Sequence, residues 1–156
     1  MRLSTGPPGE TCVHEVESKH DAKNPLYTRC TFGVVWAASA TVNRQGTALA
    51  LAVQPLDTWR EMWVFQQGPN SWGVDIVPPA LDSPNLGYVE FAGWVPGNAQ
   101  MLAARETKVD GRYKTSFEVL RTATMEVEKQ AEQPKNLSLF YRWQDPAWKG
   151  QTVSLR

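Results

Sequence analysis

The cysteines and histidines of the chain, Cys12, His14, His20 and Cys30, all lie within one polar stretch, TCVHEVESKHDAKNPLYTRC. Two kinds of chemistry suit that grouping. Cys12 and Cys30 can close a disulfide around the connection between them, removing on the order of 3 kcal/mol of chain entropy from the unfolded state and implying an oxidising compartment. The same four side chains also form a ligand set that zinc accepts, although the spacing is not that of the familiar fingers. Two free thiols are the third state open to the pair. Paired cysteines without a CxxC motif favour the bridge, so Cys12 and Cys30 are read as a disulfide and no metal ligand is assigned. The histidines are read as solvated loop residues.

Catalytic signatures are missing elsewhere. The sequence has no Gly-rich phosphate loop, no GxSxG elbow and no HExxH. Histidine-based catalysis would require His14 or His20 to meet a nucleophile such as Ser18 or Ser39, and nothing in the spacing argues for that. Carboxylates are more plentiful, with Asp57, Glu61 and Asp75 in one region and Glu90, Glu106 and Asp110 in another. Glycoside hydrolysis needs two acids roughly 5 or 9 Å apart, a distance that spacing along strands does not reveal. Solvated strand ends are the plainer reading. No catalytic residue and no cofactor is assigned, and the protein is read as more binding module than enzyme.

Tryptophan is the unusual residue, at positions 36, 59, 63, 72, 94, 143 and 148. Trp36, Trp94 and Trp143 fall at corresponding points of three segments and are expected in the core. Others sit beside charge, in DTWREMW and RWQDPAWKG, where an indole next to Arg or Asp can stack on a sugar or receive a peptide. Trp59, Trp63, Arg142, Trp143 and Trp148 are therefore the candidate ligand-binding residues. Arg142 and Lys149 beside Trp143 and Trp148 would also suit single-stranded nucleic acid. Sixteen basic and sixteen acidic side chains cancel, however, leaving no overall field to draw in nucleic acid or an anionic membrane. Neither is expected as a partner.

The elements that must position these residues are short. The 156 residues bound one domain, and eleven Gly with eleven Pro punctuate it into many pieces. No run approaches the roughly 20 apolar residues of a membrane helix, and the start, MRLSTGPPGE, does not read as a signal peptide. Residues 1–28 read as an irregular lead-in with one short strand near Val13 and Val16. An all-β domain follows over 29–156. Its first module, about 32–80, holds four runs: Phe32 to Ala38, Thr47 to Val53, Glu61 to Phe65 and Trp72 to Val77, with turns at Asn43 to Gly46 and Gly68-Pro69-Asn70. The second, about 86–130, repeats the plan with Tyr88 to Trp94, Gln100 to Arg105, Ser116 to Leu120 and Met125 to Lys129. Helix formers make Ala123 to Gln133 a possible helix, but MEVEK alternates at period two, which favours a strand. Leu139 to Trp143 and Thr152 to Leu155 read as the opening of a partial third module, about 137–156.

The corner in GWVPGNAQMLAARE, an aromatic residue followed by Pro and Gly and then an apolar strand, resembles the TolB-like and WD-type propeller repeats. VVWAASATVNRQGTALALAV and FYRWQDPAWKGQTVSL resemble them less. The segment as a whole also looks like the C-terminal part of uncharacterised exported proteins of proteobacteria, which implies a periplasmic or secreted setting and no assigned activity. A closed propeller needs at least four blades, whereas this chain supplies about two and a half. The expected fold is thus all-β, with antiparallel four-stranded meanders arranged like propeller blades or packed as a sandwich. The expected function is a noncatalytic extracytoplasmic binding or protein-interaction module. Its partner would be a protein, the rest of a larger chain, or a second copy joined through strand edges. The alternative is a carbohydrate-binding or carbohydrate-active protein that offers its exposed tryptophans to a glycan.

Overall fold

In the computed structural model, residues 1–16, 25–80, 86–97 and 99–151 are described. Three strands, β1 (Arg2–Thr5), β2 (Thr11–Glu15) and β3 (Tyr27–Thr31), form a small antiparallel sheet. Two four-stranded antiparallel meanders follow. The first is β4 (Val34–Val42), β5 (Ala48–Leu56), β6 (Trp59–Gln67) and β7 (Trp72–Val77). The second is β8 (Gly87–Trp94), β9 (Gln100–Val109), β10 (Arg112–Arg121) and β11 (Val127–Ala131). A short parallel pairing of Trp59 with Gly87 and Arg60 with Tyr88 joins the meanders into one eight-stranded sheet path. The chain ends in a 3-10 turn (Pro134–Asn136) and two short helices, α1 (Ser138–Trp143) and α2 (Pro146–Gln151).

Local chemistry sets the reversals. Asn43 closes the β4–β5 hairpin, its Oδ1 accepting from the backbone N–H groups of Thr47 (2.9 Å) and Ala48 (3.1 Å), so the side chain substitutes for turn hydrogen bonds. Between β9 and β10, Asp110 and Gly111 both have positive φ (50° and 77°), the conformation of a two-residue hairpin turn whose twist matches its strands. At Gly93 the constraint is space. A Cβ there would lie 2.5 Å from the Trp143 carbonyl oxygen, so only glycine lets α1 approach β8 this closely.

Packing proceeds in layers. Val13 of β2, with Met1 and Tyr27, covers Leu49, Leu51 and Val53 of β5 and Trp63 and Phe65 of β6. Met62, Val64 and Val77 of the first meander meet Val89, Met101, Ala103 and Leu120 of the second. Beyond the second meander, Leu137 and Phe140 pack on Ala92, Leu102 and Val119, and Phe140 makes edge contacts with Phe117 and Trp148, each at 5.4 Å. Burial of each large apolar side chain in these layers contributes about 2 kcal/mol.

Several expectations change here. Within residues 1–28, β1 and β2 pair in register instead of forming an irregular lead-in, while residues 17–24 lie outside the described residues. Leu139 to Trp143 is helical, not a strand. Leu137 and Phe140 are three residues apart and share one buried face, a spacing that suits a helix and would split them across a strand. Thr152 to Leu155 lies outside the described residues. The three marker tryptophans do not occupy equivalent places. Trp36 is exposed on β4, Trp94 is wedged between the meanders with Nε1 donating to the Thr41 carbonyl (3.2 Å), and Trp143 ends α1. The two meanders agree in strand order, but no closed propeller forms among the described residues.

Candidate binding edge and cleft

β4 is the end strand of the eight-stranded sheet, so among the described residues its outer edge has no strand partner. Its first half alternates, and the side that should be polar is apolar. Val34 and Trp36 are 58% and 45% exposed, Phe32 just before the strand is 73% exposed, and Leu56 on neighbouring β5 is 59% exposed. Val34 pairs with Gln54 and Trp36 with Ala52, so these two side chains share one face of the β4–β5 ladder, and Phe32 and Leu56 add exposed apolar surface at that end of the two strands. Trp36 Nε1 donates to Gln54 Oε1 at 3.2 Å, steadying the indole against the strand.

After Trp36 the ladder breaks. Trp36 faces Ala52 but Thr41 faces Ala50, so residues 37–40 bulge out of register. Ser39 holds the bulge, donating from Oγ to the Trp36 carbonyl (2.6 Å) and accepting from the Ala52 N–H (2.8 Å), while Thr41 Oγ1 donates to the Ser39 carbonyl (3.0 Å). The displaced backbone walls a cavity of about 210 Å3 whose other sides include Arg60, Glu90, Phe91, Asp145 and Trp148. Asp145 Oδ1 accepts from the Ala147 N–H at 2.9 Å, fixing the start of α2 at the cavity wall.

Arg60 divides this cavity from a shallower groove of about 110 Å3 that includes Trp36, Gln54, Asp57, Trp59 and Tyr88. Its guanidinium carbon lies 5.9 Å from the Trp36 ring and 5.3 Å from the Tyr88 ring, and Nη2 is 3.6 Å from Glu90 Oε1. A guanidinium held by two ring faces and a buried carboxylate is a rigid post, not a mobile surface charge. Tyr88 Oη donates to Glu106 Oε2 at 2.8 Å. Burial first, then that hydrogen bond and the charges of Glu90 and Glu106, hold the phenol far above its ordinary range, so it stays protonated and is no base.

The sequence-predicted binding residues separate. Trp59 lines the groove and Trp148 lines the cavity while packing on Phe117 and Phe140. Trp63 belongs to the core, 3% exposed under the small sheet, with Arg29 5.7 Å over its ring; it is not a binding platform. Arg142 and Trp143 meet each other on α1 at 5.6 Å and line neither the cavity nor the groove. Among the carboxylates, Glu90 and Glu106 both sit near Tyr88, and the others are dispersed. Asp75 accepts from Gln66, Glu61 from Trp63, and Glu106 from Tyr88.

Cys12 and Cys30 stand opposite each other on β2 and β3 and are joined in a disulfide. The sulfurs are thus bonded to each other, and the zinc set is not assembled. His14 instead links the three strands of the small sheet, Nε2 lying 2.7 Å from Ser4 Oγ and Nδ1 2.9 Å from Thr28 Oγ1. Burial and the nearby Arg2 lower its pKa. His20 lies outside the described residues. A disulfide of this kind fits an oxidising, extracytoplasmic compartment. No helix among the described residues is long and apolar enough to cross a membrane.

Sequence reasoning missed Phe32, Val34, Leu56, Arg60 and Tyr88 and placed Trp36 in the core. One signal was present: FGVVWAASATV runs from Phe32 to Val42 without an ionisable residue. No family model, curated protein or solved structure matches this chain.

Proposed function

We propose that the protein is a noncatalytic binding module of the periplasm or extracellular space, and that an extended segment of a protein partner adds to the outer edge of β4. The observation that carries this reading is the uncharged edge with its exposed apolar surface of Phe32, Val34, Trp36 and Leu56. Backbone groups supply affinity in strand addition, and side chains of alternate residues supply selectivity. Here that surface would receive apolar side chains of the incoming strand, and the Trp36–Trp59 groove would receive a larger one. The propeller-blade likeness belongs to the same proposal, since meanders stacked face to face leave outer edges for further chain to complete.

A photo-crosslinking amino acid at position 34 or 36, with position 129 on β11 as control, tests the reading in the native host. Covalent adducts with a second polypeptide are expected from β4 and not from β11, and their mass distinguishes another protein from a second copy. Adducts from neither edge, or equally from both, would overturn it.

One arrangement favours a carbohydrate ligand instead. Trp36 and Trp59 share a groove with the Gln54 amide and Asp57 carboxylate, the combination of ring face and polar group that sugars use. A glycan array gives that reading its measurement: specific binding lost in Trp59→Ala would replace the peptide proposal.

A further inference from the structure

The far end of β4 carries a second concavity, unrelated to the docking edge. A cavity of about 430 Å3 opens where the small sheet overhangs the end of the first meander, and its walls include Glu15, Leu26, Val42, Leu49, Gln67 and Trp72. That volume falls in the range of small-molecule sites. Most of the lining side chains are apolar; Glu15 is the one ionisable side chain among the described lining residues, and Met1, which also lines the cavity, carries the amino-terminal ammonium.

Glu15 is 5% exposed, and among the described residues its Oε1 has no hydrogen-bond partner. A buried carboxyl oxygen left unpaired bears its full desolvation penalty, and more when charged. The Leu26 N–H gives it no relief, because that donor is already engaged by the Glu15 carbonyl at 2.7 Å. Adjacent His14 is held by Ser4 and Thr28. The amino-terminal charge acts on Glu15 through space and opposes its burial only in part.

We propose that this cavity binds a small organic ammonium, a primary amine on an aliphatic or aromatic body. The amine donates to the open oxygen of Glu15 and neutralises its charge, and the apolar body lies against Leu26, Val42, Leu49 and the Trp72 indole. An aromatic wall next to a carboxylate favours a cation over a neutral or anionic ligand of the same shape. Burial holds the Glu15 carboxyl above its ordinary range. Pairing with an ammonium requires the ionised form, so affinity falls as pH drops through that raised pKa.

Calorimetric titration of the full chain with phenethylammonium and its neutral isostere 2-phenylethanol tests the assignment. Phenethylammonium is expected to bind at least tenfold more tightly. Glu15→Gln should erase that preference while leaving 2-phenylethanol unaffected, and Trp72→Ala should weaken both, with circular dichroism and melting curves confirming that each variant folds. Equal affinities for the two probes, an unchanged preference in Glu15→Gln, or no saturable binding by the parent chain would overturn the proposal. Tight binding of methyl glucoside instead would assign the cavity to sugars and overturn it equally.

Discussion

The main strand path of the eight-stranded sheet, from which β7 branches at β6, ends in two edges of opposite character. At β11 the chain reads EVEKQAE, and four of those seven residues, Glu126, Glu128, Lys129 and Glu132, carry charge. Arg121 adds to the guard, its Nε donating to Glu128 Oε1 at 2.9 Å, and Gln100 Nε2 donates to Glu128 Oε2 at 2.7 Å. At β4 no ionisable residue occurs from Phe32 to Val42, and the exposed side chains are apolar. Charge on an edge strand discourages pairing with other chains because docking would strip its hydration. One edge of this sheet has that protection and the other lacks it, which is why β4, and not the sheet in general, is the proposed docking site.

The comparison presumes that both edges belong to one cooperative sheet, and Arg105 offers the largest way to break it. Its Nη2 and Nε contact Glu118 Oε1 at 3.0 and 3.2 Å, while Nη1 donates to the carbonyls of Pro78 (2.7 Å) and Pro79 (3.2 Å) in the connection between meanders. Arg105→Met would strand the buried Glu118 and two carbonyls, an expected loss of about 3 to 5 kcal/mol in urea unfolding. Hydrogen exchange should quicken in β4–β5 and β10–β11 together. Faster exchange in the second meander alone would show that the edges unfold independently.

The disulfide distinguishes the edges instead of joining them. Cys12 and Cys30 are 18 residues apart and tie β2 to β3, whose sheet covers only the first meander. Replacing both by serine should cost about 3 kcal/mol. The loss of exchange protection should spread through β1–β5 and spare β10–β11. Uniform loss would mean that the small sheet supports the whole molecule.

Exchanging the two edge chemistries comes next. Trp36→Lys on β4, which removes one ring from Arg60, should cost about 1 kcal/mol, and Glu128→Val on β11 about 0.5 kcal/mol or less. Their effects on association should be opposite: crosslinking at position 34 is lost in Trp36→Lys, while Glu128→Val acquires a concentration-dependent sedimentation shift. If Trp36→Lys still crosslinks as well as the parent, charge on β4 is not what governs docking.

Much of the strand framework was readable because it rests on local rules. Asp110-Gly111 and the Asn43 to Gly46 turn announce hairpins, and WGVDIV alternates over the residues that became β7. The disulfide was one of several states open to Cys12 and Cys30, and the choice between them depended on register, which brings the two residues face to face. The site was not readable for a related reason. Arg60 meets Tyr88 because β6 and β8 pair over two residues in parallel, a contact between segments whose intervening chain carries no hint of it. Tryptophan misled because neither its type nor its spacing reports what covers it. Trp63 and Trp59 are four residues apart on one strand, yet one is core and the other lines a groove. The aromatic run LFYRW suggested a strand by composition, while the three-residue spacing of Leu137 and Phe140 carried the helical signal.

The smallest predicted effect is a pH dependence of the β11 guard. Hydrogen bonds from Gln100 and then Arg121 hold Glu128 below the usual carboxylate range. A lowered folded pKa means that the contribution is present above the ordinary carboxylate value and is lost as pH falls through the lowered one. Glu128 therefore keeps its charge to a lower pH than an ordinary carboxylate. While it stays charged, β11 resists pairing; once it is neutral, Lys129 and Arg121 remain as the guard and the two edges become more alike. Sedimentation of the parent chain with falling pH should therefore show β11-dependent association only below the ordinary carboxylate range, and Glu128→Gln should shift that onset upward. An onset that is the same in both proteins would mean that Glu128 is not the residue that separates the two edges.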